Sequence, residues 1–310
     1  MRVAWSGLFT WLEARNDMNK MMSNKWIIAA YMMPALLLLG SIIYVPIFLT
    51  AYYGLHKWNG IQAMEFLGLA NYKTLVGDRA FWSSAYHSLL LAVFSCLSLI
   101  GYLIISLVLA SRIKGAQLLR KIYLIPMLLS SVAIAQLWLK IYHPSNGLLN
   151  VFLERLGFAD TPAWLAEPSL VLGAIFVPIL WQYAGFYILI YYAALKGVPK
   201  EVEEAATIDG ASAWQMAWRI KVPLISEVLK VTVVLAAVGS LKYFDLIYVM
   251  TNGGPNGASE VMASYMYRIA FKSFDFGYAS AVSFFLLLIC LIVTWLIRRA
   301  TASDDKIQYS

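Results

Sequence analysis

Lys242 and Asp245 are ionisable residues inside an otherwise apolar block. Charges in such a setting serve ion relays, buried pairs or polar contacts with a passing solute. Their i,i+3 spacing predicts one helix face and mutual neutralisation; contact with a solute is the other use open to them. A second group combines aromatic rings with an amide: Trp181, Gln182, Tyr183, Phe186 and Tyr187 in one block, Tyr243 and Phe244 beside the charged pair. Rings with nearby amides suit ligands that offer apolar faces and hydroxyl edges, as sugars do, and they equally suit plain helix packing.

Other chemistry finds little support. The chain has no G-x-x-x-x-G-K-[ST] phosphate loop and no G-x-S-x-G nucleophile. His56, His87 and His143 stand apart without metal-ligand spacing, and Cys96 and Cys290 both fall inside apolar blocks. Neither a catalytic centre nor a metal site is predicted.

The elements that must carry these residues follow from composition. Of 310 residues, 61% are hydrophobic and 13% charged, where a soluble domain of this length carries about a quarter charged. The apolar residues gather in long blocks, so the fold class is all-α, a polytopic membrane protein with six transmembrane helices at about 26–52, 88–111, 122–142, 168–195, 225–250 and 278–297. Residues 1–25 read as a tail with interfacial amphipathic character; a cleaved signal peptide is the competing reading. Six spans put both termini on one side. Arg2, Arg15, Lys20 and Lys25 lie there, with Arg112, Lys114, Arg120, Lys121, Lys196, Lys200, Arg219, Lys221, Lys230 and the C-terminal Arg298, Arg299 and Lys306. Fewer cations fall opposite: Lys57, Lys73, Arg79, Lys140, Arg155, Arg268 and Lys272. Positive residues mark the cytoplasmic side. That distribution also accounts for the net charge of +7 without nucleic acid.

Between the fourth and fifth blocks, residues 201–224 form the longest polar interruption on that side. Pro199 suits a first helical turn, Glu201, Glu203 and Glu204 come next where the helix dipole favours acids, and Asp209-Gly210 ends the helix. Ser212 caps a second helix carrying Trp214, Ala217 and Trp218, and Pro223 ends or bends it. The expected product is a helix–turn–helix knuckle suited to docking another protein.

The order Glu204-Ala205-Ala206, Asp209-Gly210-Ala211, Pro223 resembles the EAA loop of ABC importer permeases. Leu67-Gly68-Leu69-Ala70-Asn71-Tyr72, Gly147-Leu148-Leu149-Asn150 and Thr251-Asn252-Gly253-Gly254-Pro255 resemble further elements of the carbohydrate-uptake type, near the maltose and multiple-sugar permeases. The resemblance spans about 30–300 and implies the type I importer permease fold. It implies a cytoplasmic tail at 1–25, a first span and outer loop at 26–80, a permease core at 81–300 with the coupling loop at 198–224, and a tail at 301–310. Glu201, Glu204, Ala205, Ala206, Asp209, Gly210, Ala211 and Pro223 would couple to an ATPase. Trp181, Gln182, Tyr183, Tyr187, Lys242, Tyr243 and Asp245 are candidates for the substrate path, and Gly253, Gly254 and Pro255 for a loop on the binding-protein side. The implied partners are two ATP-binding cassette subunits, which hold ATP and Mg, a second permease subunit of different sequence, an extracytoplasmic solute-binding protein, a sugar and membrane lipid. No cofactor is expected in this chain, and the bacterial inner membrane is the expected location. An ion-coupled secondary sugar carrier is the alternative; it fits Lys242 and Asp245 but leaves the knuckle unused.

Overall fold

The structure, a computed structural model, describes residues 25–111, 115–158 and 160–301. The N-terminal tail before Lys25, Arg112 and Lys114, and the C-terminal tail after Thr301 lie outside the described residues. The chain forms two units that divide between Tyr53 and Gly54. The outer loop, grouped from the sequence with the first span, therefore belongs to the second unit.

In the first unit, helix α1 (Lys25–Tyr53) is apolar all round, and none of its most hydrophobic stretch is buried. A π turn at Gly40–Tyr44 interrupts it.

The second unit opens with a two-stranded hairpin pairing β1 (His56–Lys57) with β2 (Glu65–Phe66), then α2 (Ala70–Gly77). Asn71 secures this loop by donating to the carbonyls of Gly54 and His56 at 3.0 and 2.9 Å. The long helices come next. α3 (Arg79–Ala110) starts nine residues before the hydropathic boundary at 88, because Asp78 accepts from the N–H groups of Ala80 and Phe81 and caps it there.

The third expected span is not one straight helix. α4 (Ala116–Leu128) and α5 (Ser131–Ile141) meet at 100°. Pro126 withholds an N–H from the last turn of α4, and Ser130 restarts the chain by capping the N–H of Ala133 at 3.2 Å. α6 (Leu148–Arg155) follows, and α7 (Val171–Lys196) is the next helix long and apolar enough to cross a membrane. The knuckle α8 (Lys200–Ile208) and α9 (213–224) precedes α10 (Ser226–Leu241) and α11 (Asp245–Met250), the two pieces of the fifth span. α12 (Met262–Phe271) is a short helix and α13 (Phe276–Thr301) the last span. Among the described residues, five helices are long and apolar enough to cross a membrane, six if the bent pair counts as one span.

α3 packs against α7 and α10, and α7 against α4. Inside a bilayer, close backbone approach and interhelical hydrogen bonds drive such packing. Gly185 provides the approach: a Cβ there would run into the carbonyl of Tyr123 and reach Leu124 Cα. The bonds are hydroxyl-based. Tyr102 donates to the Leu180 carbonyl at 2.9 Å, Ser106 to that of Ile188 at 3.1 Å, and Ser240 to Ser95 at 2.7 Å. Near the knuckle, the Tyr191 hydroxyl donates to that of Thr232 at 2.7 Å, and Thr232 donates in turn to the Leu229 carbonyl at 2.8 Å.

Candidate functional site

The knuckle is built from its two turn signals. α8 begins after Pro199, which stands at the N-cap, and carries Glu201 and Glu203 in its first turn. At its C-terminus Gly210 takes φ +78°. The Ala211 N–H reaches the Ala206 carbonyl at 2.9 Å and the Gly210 N–H that of Thr207 at 3.1 Å. This pair of bonds is the Schellman closure, and it needs a left-handed residue at 210. Ser212 then forms a capping box with Gln215, and the chain runs through a π turn at Met216–Lys221 past Pro223 to Leu224. Ala206 is buried, whereas Glu201, Glu204, Ala205, Asp209 and Gly210 are exposed, together with Ile208 at 86% and Trp214 at 71%. Two large apolar side chains open to solvent thus flank the acidic turn. Across its base Lys221 Nζ meets Glu203 Oε1 at 2.7 Å, a pair that ties α9 back to α8.

The helices on either side of the knuckle, α7 and α10, lead straight to a cavity of about 180 Å³ between them and α3. Tyr183, Tyr187 and Tyr243 line it with Ser95, Ser98, Tyr102 and Ser240. Tyr187 stacks on Tyr102 with centroids 5.9 Å apart, and Tyr183 meets Tyr243 edge-on at 6.2 Å. Tyr243 donates to Gln182 Oε1 at 3.3 Å, and Gln182 Nε2 lies 3.5 Å from the hydroxyl of Ser131, at the start of α5. No lining residue carries a charge. Aromatic faces beside hydroxyl groups offer stacking and hydrogen bonds to a neutral polyol, and nothing to neutralise an ion.

A family profile described as binding-protein-dependent transport system inner membrane component matches residues 102–302. The chain belongs to that family. A probable ABC transporter permease of Pyrococcus horikoshii is 36% identical, with 86% of this chain and 92% of that protein aligned. The trehalose/maltose transport system permease of Thermococcus litoralis is 33% identical over 84% and 89%. In the solved bacterial alginate ABC transporter bound to its alginate-loaded periplasmic protein, one chain superposes with TM-score 0.80 at 21% identity, covering 95% of this chain and 98% of that one, which establishes the shared fold. Nothing in these relationships favours an ion-coupled carrier.

The permease does not bring all the sequence candidates together. Lys242 and Asp245 do not share a helix face: α10 stops at Leu241, α11 starts at Asp245, and both side chains are exposed without an ion pair between them. Asp245 instead occupies the first turn of α11, where the helix dipole favours an acid. Trp181 lies outside the cavity lining and packs edge-on against Trp138 at 6.0 Å. Gln182 sits behind the cavity wall rather than in it. The reading from sequence missed Ser95, Ser98 and Tyr102, although their i, i+3, i+7 spacing marks one helix face.

At the other end of the spans, Gly253, Gly254 and Pro255 form a turn with a cis peptide at Gly254-Pro255. Ser259 donates to the Gly254 carbonyl at 2.6 Å and accepts from the Thr251 hydroxyl at 2.8 Å. Beneath it, the Asp78 carboxylate accepts from the hydroxyls of Tyr265 and Tyr278. Burial works to raise the Asp78 pKa, but those hydroxyls and the two capping N–H groups outweigh it and hold it below the usual carboxylate range. Tyr265 is pushed up to about 12 by burial and by the bond to Asp78.

Proposed function

We propose that this permease forms one half of the translocation path of an ATP-driven importer for a neutral sugar or oligosaccharide. It works beside a second permease subunit, two ATP-binding cassette subunits that hold ATP and Mg, and an extracytoplasmic solute-binding protein. The termini and the knuckle face the cytoplasm, in keeping with the positive residues clustered beside them. One observation carries the reading: the two helices that wall the uncharged tyrosine–serine cavity are the same two that the knuckle joins. Movement of the docked knuckle reaches the cavity along α7 and α10 without crossing a flexible linker. Tyr187 and Tyr243 stack on the cargo and hydrogen-bond it; the knuckle senses nucleotide state through Glu204, Asp209, Gly210 and the apolar Ile208 and Trp214. Energy enters only where ATP-bound and ATP-free partners grip the knuckle differently. The sugar class follows from the cavity and from relatives such as the xylose/arabinose import permease of Haloferax volcanii. An anionic cargo in this lining would leave a charge unpaired, at a cost of several kcal/mol.

The test uses the whole complex in proteoliposomes. Tyr187→Ala and Tyr243→Ala are expected to cut sugar uptake about tenfold or more, the loss of a stacking contact and a hydrogen bond together. The four-subunit assembly should still co-purify. Unchanged uptake in both variants defeats the proposed path.

A further inference from the structure

The outer turn at 251–257 rests on a carboxylate that no motif marks. Glu260 is only 8% exposed. Its Oε1 accepts from Arg268 Nε at 2.8 Å and its Oε2 from Arg268 Nη2 at 2.9 Å, a two-pronged ion pair between the loop and α12. The loop folds directly over it: a Cβ at Gly253 would lie 3.3 Å from Glu260 Cβ. Two contacts carry this pair into the spans. The Glu260 carbonyl lies 2.9 Å from His87 Nδ1 in α3. A carbonyl can only accept, so Nδ1 holds the proton. The Arg268 guanidinium sits 5.0 Å over the ring of Tyr265, whose hydroxyl binds Asp78, the cap of α3. Tyr278 of α13 donates to the same Asp78. Above the pair opens a polar pocket of about 380 Å³ lined in part by Ser83, Asn252, Asn256 and Gly257.

We propose that Glu260 is a positioning residue for the solute-binding protein: its pairing with Arg268 holds the 252–257 turn in the shape that the binding protein engages, and His87 and Tyr265 pass the engagement to α3 and α13. This rests on the proposed outward placement of the turn. A fully paired buried carboxylate next to four residues in left-handed conformation (Asn252, Gly253, Asn256 and Gly257) keeps the turn rigid before contact, which lowers the cost of ordering it on binding. Once Arg268 is removed, the carboxylate must find water, and the turn loses its footing.

The experiment measures ATP hydrolysis by the complete complex in proteoliposomes against the concentration of its sugar-loaded binding protein. Glu260→Gln and Arg268→Met are expected to raise the half-saturating concentration about tenfold, with hydrolysis in the absence of binding protein and the yield of assembled complex unchanged. The reversed pair Glu260→Arg with Arg268→Glu recovers part of the loss. His87→Phe, which removes a single hydrogen bond and leaves the ion pair in place, produces a smaller shift and keeps the proposal testable should the ion-pair variants assemble poorly. Tyr265→Phe lowers the maximal stimulated rate while leaving the half-saturating concentration alone. Wild-type half-saturation in Glu260→Gln, Arg268→Met and His87→Phe overturns the role of Glu260 and leaves the importer reading intact. A wild-type complex that its binding protein does not stimulate at all overturns both.

Discussion

Replacing Gly210 by valine changes one backbone torsion of the knuckle and disturbs no packing. A Cβ at this position meets nothing within 4 Å, so the cost is conformational rather than steric. At φ +78°, an ordinary residue loses about 1–2 kcal/mol, and a β-branched one lies at the upper end of the 1–3 kcal/mol range for strained backbone. Escape to negative φ gives no relief, because it breaks the Ala211–Ala206 and Gly210–Thr207 bonds, each contributing about 1 kcal/mol. Either route costs about 2–3 kcal/mol, which lowers the population of the docking shape by roughly 30- to 150-fold. Substrate-stimulated ATP hydrolysis in proteoliposomes should therefore fall at least about tenfold, allowing for rescue by the docked partner. The spans should insert normally, since α7 and α10 keep their contacts with α3. Gly210→Asn is the control, because asparagine tolerates left-handed backbone, and Gly210→Ala should fall between the two. An order of activity other than glycine, asparagine, alanine, valine would refute the torsional argument. Equal activity in all four would show that the angle between α8 and α9 does not matter for coupling.

Two further outcomes rest on the close approach at Gly185 and on the ion pair across the base of the knuckle. Gly185→Ala should destabilise the permease by about 1–3 kcal/mol, because the new methyl group pushes α4 off α7 at Tyr123; thermal unfolding of the detergent-solubilised complex reads this directly. Breaking the Glu203–Lys221 pair with Glu203→Gln should lower coupled hydrolysis only a few-fold, since the pair is partly exposed and worth at most about 1 kcal/mol; the exchange Glu203→Lys with Lys221→Glu should restore it, and failure to do so would assign the loss to something other than the pair.

Hydropathy located the spans at 25–53 and 171–196 to within a few residues, because those blocks are apolar to both ends. It placed the start of α3 nine residues late, since the first turns carry the polar residues Arg79, Ser83, Ser84 and His87, of which His87 bonds the Glu260 carbonyl. The bend between α4 and α5 was hidden for a different reason. Pro126 stood in plain view, but membrane helices absorb prolines when neighbours satisfy the freed carbonyl. Here the chain breaks at 129–130, where Ser130 caps a new helix, and the two helices meet at 100°.

The knuckle was legible because its determinants are local: a left-handed glycine, a serine cap and an acidic first turn act within a few residues of one another. The cavity was legible only in part. Tyr183, Tyr187 and Tyr243 stand out as aromatic residues near polar neighbours, whereas Ser95, Ser98 and Ser240 look like the small polar residues that any membrane helix uses for packing, and Ser240 does pack, against Ser95. Lys242 and Asp245 show the converse error. Their spacing argues for a pair only while the helix continues, and it stops at Leu241, where the next N–H groups turn back to Val238 and Ser240. The break then gives Asp245 a helix start to sit on and leaves Tyr243, between the two charges, facing the cavity. In this span, a feature that looked like two charges neutralising each other is a place where the backbone changes direction, and its chief consequence is where one tyrosine points.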